Sequence, residues 1–302
     1  MTSVLRRLRS RSCALAFLFT FLLSNCARGA EHSTEAHITF AGLDRSYRIY
    51  RPAALSRSQP APLVVMLHGR HDSSRYAEKA YHWDHAADAH GFVVVYPDGY
   101  RGMWNAGHCC GVAVKRQVDD VGFLTALVNK LTAQENIDPK RTYIAGMSNG
   151  ALMAYRMACD SPLHLAAIGT VAGDLVKVCA ETHPTSILEI HGGLDKLLPL
   201  NGKDAPADSD YIPSVQTTLD HWITADNCGL PHTTLHGEIT DTVRDCDAGR
   251  AVELIAIANA GHQWPGSIRH LRVEDVGGSS EPSTLLDATA KLWEFFAAHP
   301  LQ

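Results

Sequence analysis

Short apolar runs recur along the chain at residues 63–67, 92–96, 142–145, 165–171, 187–190 and 252–257. They are too short for buried helices and lack the polar alternation of a half-exposed strand. Each therefore predicts a strand buried on both faces. Between them lie segments with helical patterning. Residues 74–90 end at Gly91, a C-cap signal, and Asp119 or Asp120 caps a helix reaching about residue 135. Further helices are expected over 149–159, 213–225 and 285–298, the last amphipathic. Strands alternating with helices imply a largely parallel sheet covered on both sides. Before the first buried run, residues 37–40 and 46–51 read as two strands joined by a turn at Gly42-Leu43-Asp44, which adds an antiparallel N-terminal hairpin. No internal repeat, low-complexity tract or linker interrupts this pattern after the first thirty residues.

Those first residues follow a different rule. Arg6, Arg7, Arg9 and Arg11 precede an eleven-residue apolar run, 13–23, and small residues follow it. This is the layout of a secretory leader, and the run is too short to span a bilayer. Cleavage after Gly29 would place Ala27 and Gly29 at the positions that need small side chains. The expected organisation is a signal peptide at 1–29 and one catalytic domain at 30–302. A competing reading takes Leu23-Ser24-Asn25-Cys26 as a lipobox with a lipid anchor at Cys26; Asn25 departs from its usual small residue. On the first reading the protein is secreted; the alternative is a periplasmic or membrane-anchored lipoprotein.

The whole chain carries a net charge of −5, and residues 1–29 hold five arginines and no acid, so the remainder carries −10. That gives no electrostatic footprint for nucleic acid. Outside the leader six cysteines remain: Cys109, Cys110, Cys159, Cys179, Cys228 and Cys246. An even number in an exported chain suggests disulfides. Short intervening loops favour Cys159–Cys179 and Cys228–Cys246. Cys109 and Cys110 are adjacent, and either a vicinal bridge or two separate thiols fits. No Cys-x-x-Cys supports zinc.

The segment richest in chemistry is Gly146-Met147-Ser148-Asn149-Gly150, where an apolar strand runs into an Ala/Met/Leu-rich helix. A serine on such a strand-to-helix elbow stands above the sheet at a helix N-terminus, where the Asn149 amide can meet a developing oxyanion. A serine hydroxyl needs a base, and the base an orienting acid; in this architecture they follow in the order Ser, Asp, His. Asp195, past the 187–190 strand and a Gly192-Gly193 turn, is the preferred acid, and Asp174 is its rival. His262, in Gly261-His262-Gln263-Trp264-Pro265-Gly266 after the last strand, is the preferred base among seventeen histidines. His82, His85 and His90 decorate a helix surface. The loop after the first buried strand, His68-Gly69-Arg70, is expected to supply the second oxyanion donor: the Arg70 amide first, Gly69 second, with His68 structural.

Six motifs in order extend this reading: Leu67-His68-Gly69; the Trp104–Gly111 stretch with His108, Cys109 and Cys110; Asp119-Asp120-Val121-Gly122-Phe123; the Ser148 elbow; His191-Gly192-Gly193-Leu194-Asp195; and Gly261 to Gly266. Together they resemble the secreted polyhydroxybutyrate depolymerase and feruloyl esterase group of α/β-hydrolases, over about residues 36–299. The resemblance implies an α/β-hydrolase fold and a carboxylic ester hydrolase with Ser148 as nucleophile, Asp195 as acid and His262 as base. It also implies a substrate pocket lined by Trp104, His108 and Trp264. Its substrates would be polyhydroxyalkanoate oligomers, feruloyl esters or acetyl esters of plant polysaccharide. The sequence ends at a helix, without the Ser/Thr-rich linker and binding domain of modular depolymerases, so soluble esters or oligomers are the expected partners.

Acyl transfer of this kind requires no metal and no organic cofactor. A serine peptidase would use the same groups, and an exported binding protein on a hydrolase scaffold is a rival of another class, though such proteins usually lose a triad member. Metal-assisted hydrolysis through His82, Asp84 and His85 lacks a recognised ligand motif.

Overall fold

The computed structural model describes residues 33–177, 179, 182–203, 212–268 and 281–302. The expected leader and Cys26 lie outside the described residues.

Among the described residues ten strands form one sheet. They are β1 (Thr34–Phe40), β2 (Leu43–Tyr50), β3 (Ala61–Leu67), β4 (Val93–Pro97), β5 (Ile137–Met147), β6 (Ala167–Val171), β7 (Ser186–Gly192), β8 (His232–His236), β9 (Ile239–Asp245) and β10 (Ala251–Ile257). Their spatial order is β1-β2-β4-β3-β5-β6-β7-β10-β9-β8. The six central strands, β4 to β10 in that order, pair in parallel. Every side chain of β3, β4, β6 and β7 is buried, as strands covered on both faces require.

Seven described helices accompany the sheet: α1 (Ser74–Tyr81), α2 (Trp83–His90), α3 (Gly111–Lys115), α4 (Asp120–Gln134), α5 (Asn149–Asp160), α6 (Val215–Ala225) and α7 (Ala288–Ala298). Strand alternation sends Leu63 and Val65 to one face, where they join residues of α4, α5 and α6. Val64 and Met66 point the other way, into a second core built with α1, α2 and α7. The result is the expected parallel sheet with helices on both faces and an antiparallel hairpin, β1–β2, at one edge.

Two expectations are corrected, and one hairpin is added that the sequence pattern does not predict. The helix expected over 74–90 is two helices, broken at His82 in the left-handed region (φ 58°). Residues two apart on a continuous helix face different sides; the break lets both Tyr81 and Trp83 turn inward, Tyr81 stacking on Trp264 at 4.5 Å and Trp83 on Phe296 at 6.1 Å. The strand expected over 142–145 extends to eleven residues, because Ile137, ahead of the polar stretch, pairs with Ala61 across an irregularity in the register. The β8–β9 hairpin gave no apolar signal: all five residues of β8 are exposed, and a tight turn at Gly237 (φ 61°) joins the pair.

The six cysteines bond as Cys159–Cys179, Cys228–Cys246 and the vicinal Cys109–Cys110. No described helix is long and apolar enough to cross a membrane.

The parallel arrangement has one consequence for chemistry. β3, β5, β7 and β10 release their chains at the same edge of the sheet. The loops bearing Arg70, Ser148, Asp195 and His262 therefore emerge together there.

Candidate active site

Ser148 sits between β5 and α5 at φ 52° and ψ −121°, a conformation unfavourable for a residue with a Cβ. The flanking glycines make the elbow sterically feasible. A Cβ on Gly146 would strike the Gly150 backbone, and one on Gly150 would strike the Leu67 carbonyl. The Ser148 amide donates to the Val171 carbonyl at 3.0 Å, which ties the turn to β6.

The serine hydroxyl lies 2.7 Å from His262 Nε2, close enough to donate to it. His262 Nδ1 lies 2.7 Å from Asp195 Oδ2. The second oxygen, Asp195 Oδ1, accepts the Leu197 and Leu198 amides at 2.8 and 2.9 Å. Burial by itself would raise the Asp195 pKa; the His262 hydrogen bond and charge, the Leu198 amide and His191 outweigh it and hold the carboxyl below its usual range. The three residues named from the sequence thus form one continuous relay. Asp174, the rival acid, lies fully buried, and neither carboxylate oxygen has a hydrogen-bond partner among the described residues. Burial, with Glu189 and Asp195 nearby, pushes its pKa up to about 8 against the opposing effect of His191.

Two candidate amide donors belong to residues that line the same cavity as Ser148. Asn149 is the first residue of α5, so its N–H has no intrahelical acceptor. The Gly69–Arg70 peptide is fixed from its other side, where the Gly69 carbonyl accepts His68 Nδ1–H at 2.7 Å and the Asp72 amide at 3.2 Å. Peptide planarity then points the Arg70 N–H the opposite way. His68 is structural as expected: fully buried, it accepts the Gly99 amide on Nε2 at 3.0 Å, and burial depresses its pKa.

Gly69, Arg70, Ser148, Asn149 and His262 line one cavity of about 450 Å³. One part of the wall is apolar, with the Cys109–Cys110 disulfide, Leu152, Leu197 and Leu198; another is polar, with His71, Asp72 and Tyr76. Trp264 also lines it, while its indole N–H donates to Thr289 Oγ1 at 3.1 Å and its ring stacks on Tyr81. Trp104 and His108 are corrections, since neither lines the cavity. Trp104 is fully buried behind the wall, its indole donating to the His68 carbonyl at 3.0 Å, and His108 is exposed. In their place the adjacent cysteines face the cavity.

Glu189 and His191 are not among the residues expected at the site, yet their fully buried side chains meet 2.8 Å apart behind Asp195. Their signal was present in the sequence: two polar residues, two positions apart in an otherwise apolar strand, must face the same side. Asp84 accepts the Tyr96 hydroxyl at 2.6 Å, and among the described residues no group of three His, Cys, Asp or Glu side chains is arranged to hold an ion.

Comparison with known proteins finds that the family model described as esterase PHB depolymerase matches residues 45–262. The NocK protein of Nocardia uniformis subsp. tsuyamanensis is 30% identical over 277 residues, covering 84% of this chain and 80% of that protein. Feruloyl esterase B of Piromyces equi is 28% identical, over 70% of this chain and 41% of its own length; the chain thus spans less than half of that relative. Among solved structures, an acetyl xylan esterase from Aspergillus awamori superposes with a TM-score of 0.58 over 88% of this chain and 99% of that one. At 15% identity that likeness is one of fold.

Proposed function

The chain belongs to the esterase PHB depolymerase family and is a carboxylic ester hydrolase, and we propose that it works as an exported serine esterase with Ser148, His262 and Asp195 as its catalytic triad. The observation that carries this reading is the unbroken chain of hydrogen bonds from the Ser148 hydroxyl through both His262 nitrogens to Asp195, open to a cavity that Asn149 and Arg70 also line.

The chemistry follows from those contacts. Ser148 Oγ bonds to the ester carbonyl carbon as its proton passes to His262 Nε2. The carbonyl oxygen becomes an oxyanion, held by the Asn149 and Arg70 amides, with Gly69 permitting that loop's close approach. Collapse breaks the bond to the alcohol oxygen, which leaves with the proton from His262. Water then donates a proton to His262 and attacks the acyl-serine, and the acid departs as Ser148 recovers its hydrogen. Asp195 stays ionised and holds the imidazole in its productive tautomer throughout.

The proposed substrates are carboxylic esters: hydroxyalkanoate oligomers, feruloyl esters or acetyl esters. The partly apolar wall of the cavity suits such groups, and the names of the relatives point the same way. A panel of p-nitrophenyl acetate and butyrate, methyl ferulate, acetylated xylan and a hydroxybutyrate oligomer tests this reading. Activity on none of them contradicts it.

Residues 1–29 are proposed as the export signal and 30–302 as the catalytic domain, a reading that three disulfides support because such bonds persist in oxidising compartments. A mature chain beginning at Ala30 is the expected mass; a lipid-modified N-terminal Cys26 would contradict soluble export.

A further inference from the structure

Behind the Asp195 carboxylate lies a second buried acid–imidazole pair. His191 is the penultimate residue of strand β7, and both of its ring nitrogens face acceptors. Nδ1 is 2.8 Å from Glu189 Oε1, and Nε2 is 2.7 Å from the Leu198 carbonyl, with Asp195 Oδ2 at 3.6 Å. A neutral imidazole carries one N–H. It would therefore set a lone pair against one of these oxygens inside a fully buried site. Against an ionised Glu189, only the doubly protonated ring satisfies both contacts.

Glu189 is itself anchored for this task. Its Oε1 also accepts the Gly173 amide at 3.0 Å, and its Oε2 accepts the Tyr155 hydroxyl at 3.2 Å; Thr170 Oγ1 stands 3.0 Å from that hydroxyl. The Leu198 carbonyl belongs to the turn whose Leu197 and Leu198 amides grip Asp195 Oδ1.

We propose that His191 is a positioning residue for the esterase reaction: held as an imidazolium between Glu189 and the Leu198 carbonyl, it fixes the Asp195 turn and sets a positive charge beside the Asp195 carboxylate. The proposal rests on the reading of Asp195 as the triad acid. The surrounding groups agree with it. Burial opposes the charge on His191, but the Glu189 hydrogen bond and charge, the Leu198 carbonyl and Asp174 overcome it and raise the pKa to about 9. The titratable groups facing the ring are Glu189 from β7, Asp174 from the loop after β6 and Asp195 from the following turn. Tyr155 of α5 reaches it through Glu189, and His262 lies beyond Asp195.

The test compares wild type, His191→Gln and the charge-neutral double variant Glu189→Gln/His191→Gln by their kcat/KM profiles against pH on p-nitrophenyl butyrate. Ser148→Ala runs alongside. In His191→Gln the buried positive charge is gone while Glu189 remains, so the relay protonates more readily; the double variant, which loses both charges, is expected to shift less. The acidic limb is expected to move to higher pH by about one unit, and the plateau to fall about tenfold as Asp195 loses its fixed turn. An unmoved limb in folded His191→Gln, at any level of activity, overturns the proposal. Retained turnover in Ser148→Ala would instead fail the triad reading itself. Should neither His191 variant fold, 15N NMR of histidine-labelled wild type decides the matter. Protons on both His191 ring nitrogens at pH 7.5 support the proposal, and a single proton overturns it.

Discussion

The side chain of Asn149 grips the backbone of Trp104 from both sides: its Oδ1 accepts the Trp104 amide at 2.8 Å, and its Nδ2 donates to the Trp104 carbonyl at 3.1 Å. One residue therefore offers its own amide beside the Ser148 hydroxyl and suspends the loop that carries Cys109 and Cys110 to the cavity. The Trp104 carbonyl also accepts the Cys110 amide at 3.0 Å, which continues the suspension to the disulfide.

Asn149→Ala keeps the backbone amide but removes the grip. The Trp104 N–H is then left buried without an acceptor, at a cost of about 1–3 kcal/mol. We expect a lower Tm, and a KM for bulky acyl esters that rises more than kcat falls, because the cavity wall moves while the oxyanion donor stays. Thermal melts and kinetics on acetyl and feruloyl esters check both expectations. An unchanged Tm would show that the grip contributes nothing.

Asp174 gives a stability prediction with a definite sign. Its pKa rises on folding from an ordinary 3.8 to about 8. The native state thus keeps a proton that the unfolded chain releases, and this group's effect on stability worsens as pH climbs from about 4 to 8. Asp174→Asn, neutral and of the same shape, removes that dependence. At pH 9 the variant should melt higher than wild type by about 3 °C or more, whereas at pH 4 the two should coincide. Asp195 acts in the opposite sense: its lowered pKa contributes stability that is lost as pH falls below the usual carboxylate range. A variant that gains nothing at pH 9 would refute the account of Asp174.

The three disulfides should separate by function. Cys159–Cys179 and Cys228–Cys246 are 20 and 18 residues apart in sequence, so each restrains the unfolded chain, and removing either should cost about 2–4 kcal/mol. Cys109–Cys110 spans adjacent residues and restrains almost nothing, but it faces the cavity. The pair Cys109→Ala/Cys110→Ala should leave Tm nearly unchanged and alter KM. The reverse result, a large Tm loss with unaltered KM, would contradict its place in the substrate wall.

Much of this site could be read from the sequence because its signals are local. The Ser148 elbow needs two glycines within van der Waals contact of neighbouring backbone, and both stand in the motif. Asp195 and His262 each follow a buried strand at a glycine turn, in the order the fold imposes. What escaped depends on distant packing. The resemblance implies Trp104 at the substrate, but the Asn149 grip holds its backbone and the His68 carbonyl takes its indole N–H, which keep the ring inside the wall. The β8–β9 hairpin is mostly polar, with only Leu235, Ile239 and Val243 apolar, and it pairs along the edge that β10 offers. Residues 74–90 carry one helical pattern, yet inward packing of both Tyr81 and Trp83 breaks it at His82.

The central claim is that Ser148 forms the acyl-enzyme. Wild type and Ser148→Ala should be mixed with p-nitrophenyl butyrate, quenched in acid within the first turnover, and their masses and tryptic peptides measured. The account predicts one butyryl group on the Ser148 peptide of wild type, and in Ser148→Ala neither adduct nor turnover, with an unchanged melting curve. Turnover that survives in Ser148→Ala, or an acyl group on any other residue, would contradict it.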